Sequence, residues 1–271
     1  MDNDIHFISG LPRSGSTLLS ALLRQNPRFH ANMSGPVSSI YMTMLAELSG
    51  RNEFHVFIDD DQRKALLKSV FDNYYAKIHP HKVVFDTSRT WTSKLPSLLR
   101  LFPKSKVICT VRQVCWIVDS VERLIRKNAF QPSKIFGFDT GGTVYSRAEQ
   151  LTGPGGMIGY PYNGLREAFF GEYADRLLLI TYDTLSRRPG KALAAIYDFT
   201  GQPPFEHDFE NVEYDADEFD ARMGTPGLHR VQRKVQPIER ETILPPDIFE
   251  KHANTAFWVE PSFNTKNVRV V

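Results

Sequence analysis

The stretch Phe7-Ile8-Ser9-Gly10-Leu11-Pro12-Arg13-Ser14-Gly15-Ser16-Thr17-Leu18-Leu19 constrains this chain more than any other part of it. It reads strand, tight turn, helix. Ile5, Phe7 and Ile8 form a short β-prone apolar run suited to a buried strand. Gly10, Pro12 and Gly15 punctuate the turn, and Ser16 to Arg24 reads as a helix. A glycine turn opening a helix aims backbone N–H groups and the positive end of the helix dipole at one spot, and that spot suits a phosphate. The alternative is an ordinary βα turn whose serines cap the helix.

The spacing can be set against the nucleotide P-loop, G-x-x-x-x-G-K-[ST]. Gly10, Gly15 and Thr17 fit it, but Ser16 stands where the lysine should be, and a positive charge comes earlier, as Arg13. An ATPase or kinase needs that lysine on its β/γ-phosphates and a hydroxyl on Mg²⁺. This loop keeps the cradle and moves the cation.

The rest of the chain can cover such a core. At 271 residues with 41% hydrophobic content it predicts one large α/β domain over residues 1–271, or one such domain with a helical insert. The net charge of +2 gives no general pull toward nucleic acid or a membrane. No apolar run reaches the ~18 residues of a membrane span. The opening Met1-Asp2-Asn3-Asp4 is acidic and runs into the first strand, unlike a signal peptide. Cys109 and Cys115, the only cysteines, lie in apolar segments, as core thiols in a reducing cytoplasm would.

In order, helices are expected over Pro36 to Ser49 and Asp59 to Ile78, the second opened by acidic residues and striped by Leu66, Leu67, Val70, Phe71 and Tyr74. Lys82 to Phe85 and Val107 to Val111 read as strands, with a helix over Trp91 to Phe102 between them, where Pro96 needs a first-turn position or a kink. Val114 to Lys127 is a strongly amphipathic helix. Pro132 to Gly159 reads mostly as loop. Tyr162 to Tyr173 follows as helix, Leu177 to Thr181 as strand, and Lys191 to Thr200 as a helix closed by Gly201. From about residue 205 the chain turns irregular, acidic at first and then basic near Arg230 to Lys234. Strands alternating with helices imply a three-layer α/β fold, a mostly parallel central sheet flanked by helices. Its ligand belongs at the carboxyl ends of the strands, where the loops at Gly10, Asp86, Arg112 and Tyr182 gather.

The third strand ends in Arg112, and Ser120 follows eight residues later on the next helix. An arginine and a hydroxyl so placed can hold one phosphate. With this pair, the chain resembles the sulfotransferases that use 3′-phosphoadenosine 5′-phosphosulfate (PAPS). Their first motif, P-[RK]-[SA]-G-[ST]-T, matches Pro12-Arg13-Ser14-Gly15-Ser16-Thr17, and the resemblance implies that these residues bind the 5′-phosphosulfate. The second motif matches Arg112 and Ser120 and implies a 3′-phosphate site. Leu95 to Ile108 is similar to the segment leading into that motif, and Thr181-Tyr182-Asp183-Thr184-Leu185 is similar to the family's Tyr-Glu-Asp-Leu turn, whose tyrosine reaches the adenine. The likeness runs from about Ile5 to Gln202, and it accounts for the missing lysine: the donor has no triphosphate, and these enzymes generally need no metal.

The chain also departs from that pattern. In the protein-tyrosine branch, which with the bacterial branch looks closest, a catalytic glutamate lies 21 residues after the loop arginine; here that position is Ser34. A serine cannot replace a carboxylate base. The lysine that steadies the transferring sulfuryl group in related branches corresponds to Thr87, with Arg89 nearby as a substitute cation. Leu18 stands where the small-molecule branch stacks its adenine on a tryptophan. Asp86, His30 and His229 are left as candidate bases; Asp86 could equally cap the segment from Ser88, and either histidine could be an ordinary loop side chain. The basic segment Thr225 to Val235 resembles the family's closing segment, as a lid whose Arg230, Arg233 or Lys234 reaches the 3′-phosphate; a solvated charged run is the alternative.

The resemblance thus implies transfer of a sulfuryl group from PAPS, leaving 3′,5′-adenosine bisphosphate, to a hydroxyl or amine on a small molecule, glycan or peptide. A P-loop kinase and a non-catalytic adenosine-bisphosphate-binding module are the competing readings.

Overall fold

In this computed structural model, which describes residues 4–51, 53–78 and 82–271, the glycine turn leaves from the interior of a six-stranded sheet. Strand β1 (Ile5–Gly10) runs between β3 (Val83–Thr87) and β4 (Val107–Val111). Outside β3 lies β2 (Phe29–Ala31); outside β4 lie β5 (Leu177–Thr181) and β6 (Arg269–Val270). Every pairing is parallel. A parallel sheet needs a crossover between neighbouring strands, and these crossovers put helices on both faces. Met1 to Asn3, which carry the reading of the N-terminus, fall outside the described residues.

Alternation along the strands divides the core in two. Ile8, Phe85, Ile108 and Leu178 pack with α1 (Ser16–Leu23) and α9 (Pro189–Thr200). Phe7, Val84, Val107 and Leu177 point the other way, toward α2 (Val37–Leu48), α3 (Asp60–Tyr74), α4 (Leu95–Leu101), α5 (Val114–Lys127), α6 (Val144–Thr152) and α7 (Gly159–Phe170). On that second face Phe7 is fully buried among Phe71, Trp91 and Phe102, with ring centroids 6.0, 5.3 and 6.0 Å away. Truncating it to alanine should cost ~3–5 kcal/mol.

Local rules explain several helix ends. Asp59 caps α3 in a reciprocal box with Gln62, and Gly201, at φ 67°, closes α9. Pro96 is accommodated because the expected helix splits: a 3₁₀ turn over Trp91–Lys94 precedes α4, leaving the proline in a first turn. The segment read as loop, 132–159, contains α6, nucleated by a capping box between Thr143 and Ser146. After Thr181 the chain goes straight into α8 (Tyr182–Arg187). The C-terminal part is largely without regular structure except for α10 (Asp217–Arg222), α11 (Pro246–Ala253), two 3₁₀ turns and β6. It is tied down by main-chain bonds such as Val212 N–H to Arg233 O (2.7 Å) and Val235 N–H to Phe209 O (2.8 Å). Cys109 and Cys115 are buried free thiols, and among the described residues no helix is long and apolar enough to cross a membrane.

Candidate active site

The loops at the carboxyl ends of β1, β3, β4 and β5 meet the C-terminal segment around a hollow of about 220 Å³. Its floor is the glycine turn. Gly10 (φ 101°) is forced by packing, because a Cβ there would collide with the Thr110 backbone. Gly15 (φ 96°) lets Leu185 and the Tyr182 ring close down on the turn. Arg13 also has a left-handed backbone, φ 55°, which a non-glycine residue adopts at a cost of about 1–3 kcal/mol and keeps only where its surroundings hold it. Pro12, Arg13, Gly15, Ser16 and Thr17 all line the hollow. The Ser14 side chain does not: it is fully buried, its hydroxyl 2.9 Å from Thr110 O and 2.7 Å from Thr110 Oγ1. It ties the turn to β4, so only its backbone is left for a ligand.

One end of the hollow brings together residues distant in sequence. Arg13 Nε donates to Ser120 Oγ (3.1 Å), and Arg112 Nη1 donates to Arg13 O (3.3 Å). The Arg112 guanidinium lies 4.2 Å over the Tyr182 ring, a cation–π contact. Arg13 Nη1 donates to Leu228 O of the C-terminal segment. Burial, and then the like charge of Arg112, bring the Arg13 guanidinium down to about 10, so it stays cationic at neutral pH. Burial lowers Arg112 in the same direction. Arg240, absent from the expectations above, lines the hollow beside them. No motif marks it, because its role comes from a contact with α5 across the fold.

The other end is lined by Met33, Ser34, Thr87, Ser88, Arg89, Met157 and His229. Ser34 and Thr87, the positions where the resemblance predicted a glutamate and a lysine, both belong to this wall. Arg89 has no hydrogen bond or ion pair to any described residue, and burial lowers its pKa.

The expected base Asp86 is not in this wall. It pairs with Phe7 across β1/β3, so its side chain points with Phe7 into the core away from α1. There it is 2% exposed and accepts from Tyr75 Oη (2.6 Å) and Trp91 Nε1 (2.7 Å), one donor on each oxygen. Burial raises its pKa. The structure corrects that expectation: a two-residue period put the carboxylate on the wrong face of β3. His30 is not a lining residue either; its Nε2 lies 3.2 Å from Asn32 Nδ2 and its ring packs on Tyr75 at 5.7 Å. Of the lid cations, Arg230 and Lys234 line the hollow, Lys234 in an exposed pair with Glu210 at 2.8 Å. Arg233 points elsewhere, its Nε donating to Asn211 Oδ1 (3.0 Å).

His229 is better placed than either. Asp220, 1% exposed, accepts the His229 main-chain N–H on one oxygen (2.8 Å) and meets Nδ1 with the other (2.6 Å). That bond fixes the ring and the tautomer, with the proton on Nδ1 and Nε2 left as an acceptor. Burial lowers the His229 pKa, Asp220 pulls it back up, and Arg13 and Arg89 add to the lowering. The imidazole is therefore kept neutral near pH 7.

Arg13, Arg89, Arg112, Arg230, Lys234 and Arg240 make six cationic side chains among the described lining residues, and no aspartate or glutamate lines the hollow. The solved structure of a sulfotransferase domain from the curacin biosynthetic pathway resembles this chain at 18% identity and a TM-score of 0.54, covering 98% of this chain and 92% of that one. A sulfotransferase from Alicyclobacillus acidocaldarius gives 14% identity and a TM-score of 0.53, over 82% and 91% of the two chains. No curated protein matches. A sequence model described as the sulfotransferase family matches residues 6–207, and this chain belongs to the sulfotransferase family.

Proposed function

We propose that the protein transfers a sulfuryl group from PAPS to a hydroxyl or amine acceptor. The observation that carries this reading is the set of six cations, unopposed by a lining carboxylate, around a glycine turn. Such a hollow suits a ligand with several negative charges and no metal of its own, as the bisphosphate donor is. In the chain's own residues, the 12–17 turn and Arg13 hold the 5′ end, Arg112, Ser120 and Arg240 the 3′-phosphate, and the Arg112–Tyr182 stack supports the adenine side. When bound, the donor supplies an activated sulfuryl group on a phosphate leaving group. Arg13 would stabilise negative charge on the bridging oxygen, and Arg89, with no hydrogen bond or ion pair to another described residue, would meet the transferring oxygens. His229 Nε2 takes the acceptor's proton, and Asp220 stabilises the imidazolium so formed. The reacting acceptor oxygen or nitrogen would sit among Met33, Ser34, Met157 and His229, where the wall is partly apolar. The residues that fill the glutamate and lysine positions make His229 and Arg89 necessary to the reading: without them the site would bind but not turn over. A transfer assay with isotopically labelled PAPS and a panel of phenol, sugar and peptide acceptors tests the proposal. Labelled product with any acceptor supports it. Tight binding of 3′,5′-adenosine bisphosphate with no transfer across the panel would leave a binding module.

A further inference from the structure

Asp119 lies one residue before Ser120 on α5 and is fully buried. No other carboxylate described has so many partners. Its Oδ1 accepts from the Ile243 N–H (2.9 Å) and Thr242 Oγ1 (3.2 Å), and its Oδ2 accepts from Arg123 Nε (3.0 Å). Arg123 and Arg126 add bonds to the Glu241 and Ile243 carbonyls, so residues 240–243 form a strap laid along α5. Arg240 comes off the strap into the hollow. Its Nη2 lies 2.7 Å from Asp119 Oδ2 but out of line for a hydrogen bond, and both Nη2 and Nε are buried with no hydrogen-bond partner among the described residues. The Arg240 side chain, 23% exposed and anchored by charge at Nη2, keeps N–H groups without a hydrogen-bond partner among the described residues beside the hollow, an arrangement for an acceptor that arrives later. Its charge is felt at both Arg13 and Arg112, which places it at the bisphosphate end rather than the acceptor end.

We infer that Asp119 is a positioning residue for the 3′-phosphate site: it touches no ligand, but it seats the strap and aims Arg240, so selectivity for a 3′-phosphorylated nucleotide depends on it. The inference rests on the donor reading above. It also explains why a carboxylate is tolerated next to an anion site. Asp119 is paired with Arg123 and Arg240, two positive charges that outweigh its own, although its charge is still felt at Arg112.

The test compares 3′,5′-adenosine bisphosphate with 5′-AMP by calorimetry on the wild type, Arg240→Ala, Asp119→Asn and the double variant. Loss of one charge-assisted contact should cut the preference for the bisphosphate ~10–100-fold in Arg240→Ala. Asp119→Asn should cut the same ratio by about 10-fold or more while 5′-AMP affinity changes little, and the double variant should fall no further than Arg240→Ala alone. Equal weakening of both nucleotides by Asp119→Asn, or an additive fall in the double variant, would overturn the inference and leave Asp119 a structural anchor. Should Asp119→Asn not fold, Asp119→Glu, which keeps the charge but displaces it, must show the same selective loss. A wild type that binds both nucleotides equally would instead remove the donor reading itself.

Discussion

Two regions of this molecule meet in one hollow but are built differently. The turn over residues 10–17, with Arg112 and Ser120, is set on β1, β4 and the helices that follow them; Gly10 and Ser14 are locked against the Thr110 main chain and Gly15 under the Leu185 and Tyr182 side chains. The segment from Gly224 to Ile243 contains no helix or strand, and it is held in place from elsewhere in the fold: Arg13 on Leu228 O, Asp220 on His229, and Asp119, Arg123 and Arg126 on the strap. On the reading proposed above, the first region would hold the anionic groups, and the second would bring the base and three more cations, Arg230, Lys234 and Arg240. That difference fits the proposed division of labour, in which the sheet would provide the phosphate cradle and the C-terminal segment would complete the catalytic side.

The largest expected effect lies in the second region. His229→Gln should lower turnover by about 10²–10⁴-fold, as loss of a general base does, and leave affinity for 3′,5′-adenosine bisphosphate unchanged. A pH profile sharpens this. His229 acts as a base only when neutral, and its pKa is lowered, so kcat/KM should hold as pH falls through 6.5 and decline only below it. The acid limb should disappear in His229→Gln. An acid limb that persists in the variant would place the base elsewhere.

The next effect lies in the cradle. Arg112→Ala should weaken binding of 3′,5′-adenosine bisphosphate by ~10–100-fold, the worth of one charge-assisted hydrogen bond, and that of 5′-AMP much less. Equal losses would mean that Arg112 supports Tyr182 rather than a 3′-phosphate.

Asp86 tests whether the sheet side takes part in chemistry at all. With one donor on each oxygen, Asp86→Asn turns an amide N–H₂ toward a donor and should cost roughly 1–3 kcal/mol of stability. Turnover of the folded fraction should be preserved, as read by melting temperature beside kcat. The smallest effect is none: EDTA should leave activity intact, because the turn carries Ser16 in place of the lysine that a metal triphosphate requires.

The same division governs how much could be read from the sequence. The cradle is local in sequence, and a glycine turn between an apolar strand and a helix points to it, although an ordinary capped βα turn reads alike; the Arg112–Ser120 spacing adds the second half. The interior strands were legible because each is a five- or six-residue run rich in apolar, β-prone residues, whereas β2 and β6, three and two residues long, are too short to have a period. Asp86 misled because position at a strand end was read without the face its side chain would take: Thr87, one residue on, turns toward α1 and the hollow, and Asp86 turns away. His229 could be named but not ranked, since its case depends on Asp220 reaching it from α10, and nothing in the spacing shows that Asp220 is buried. Arg240 was invisible for the same reason: its partner is 121 residues away on α5.

The central claim is that the hollow is made for a bisphosphate nucleotide with its phosphates at two separate positions. Calorimetric titration of the wild-type protein with 3′,5′-adenosine bisphosphate, 5′-AMP and ATP with Mg²⁺ tests it directly. The account predicts that the bisphosphate binds at least ~10-fold more tightly than 5′-AMP, with the difference carried by the 3′-phosphate contacts, and that ATP with Mg²⁺ does no better than 5′-AMP. Tightest binding of ATP with Mg²⁺, or no preference between the bisphosphate and 5′-AMP, would contradict it.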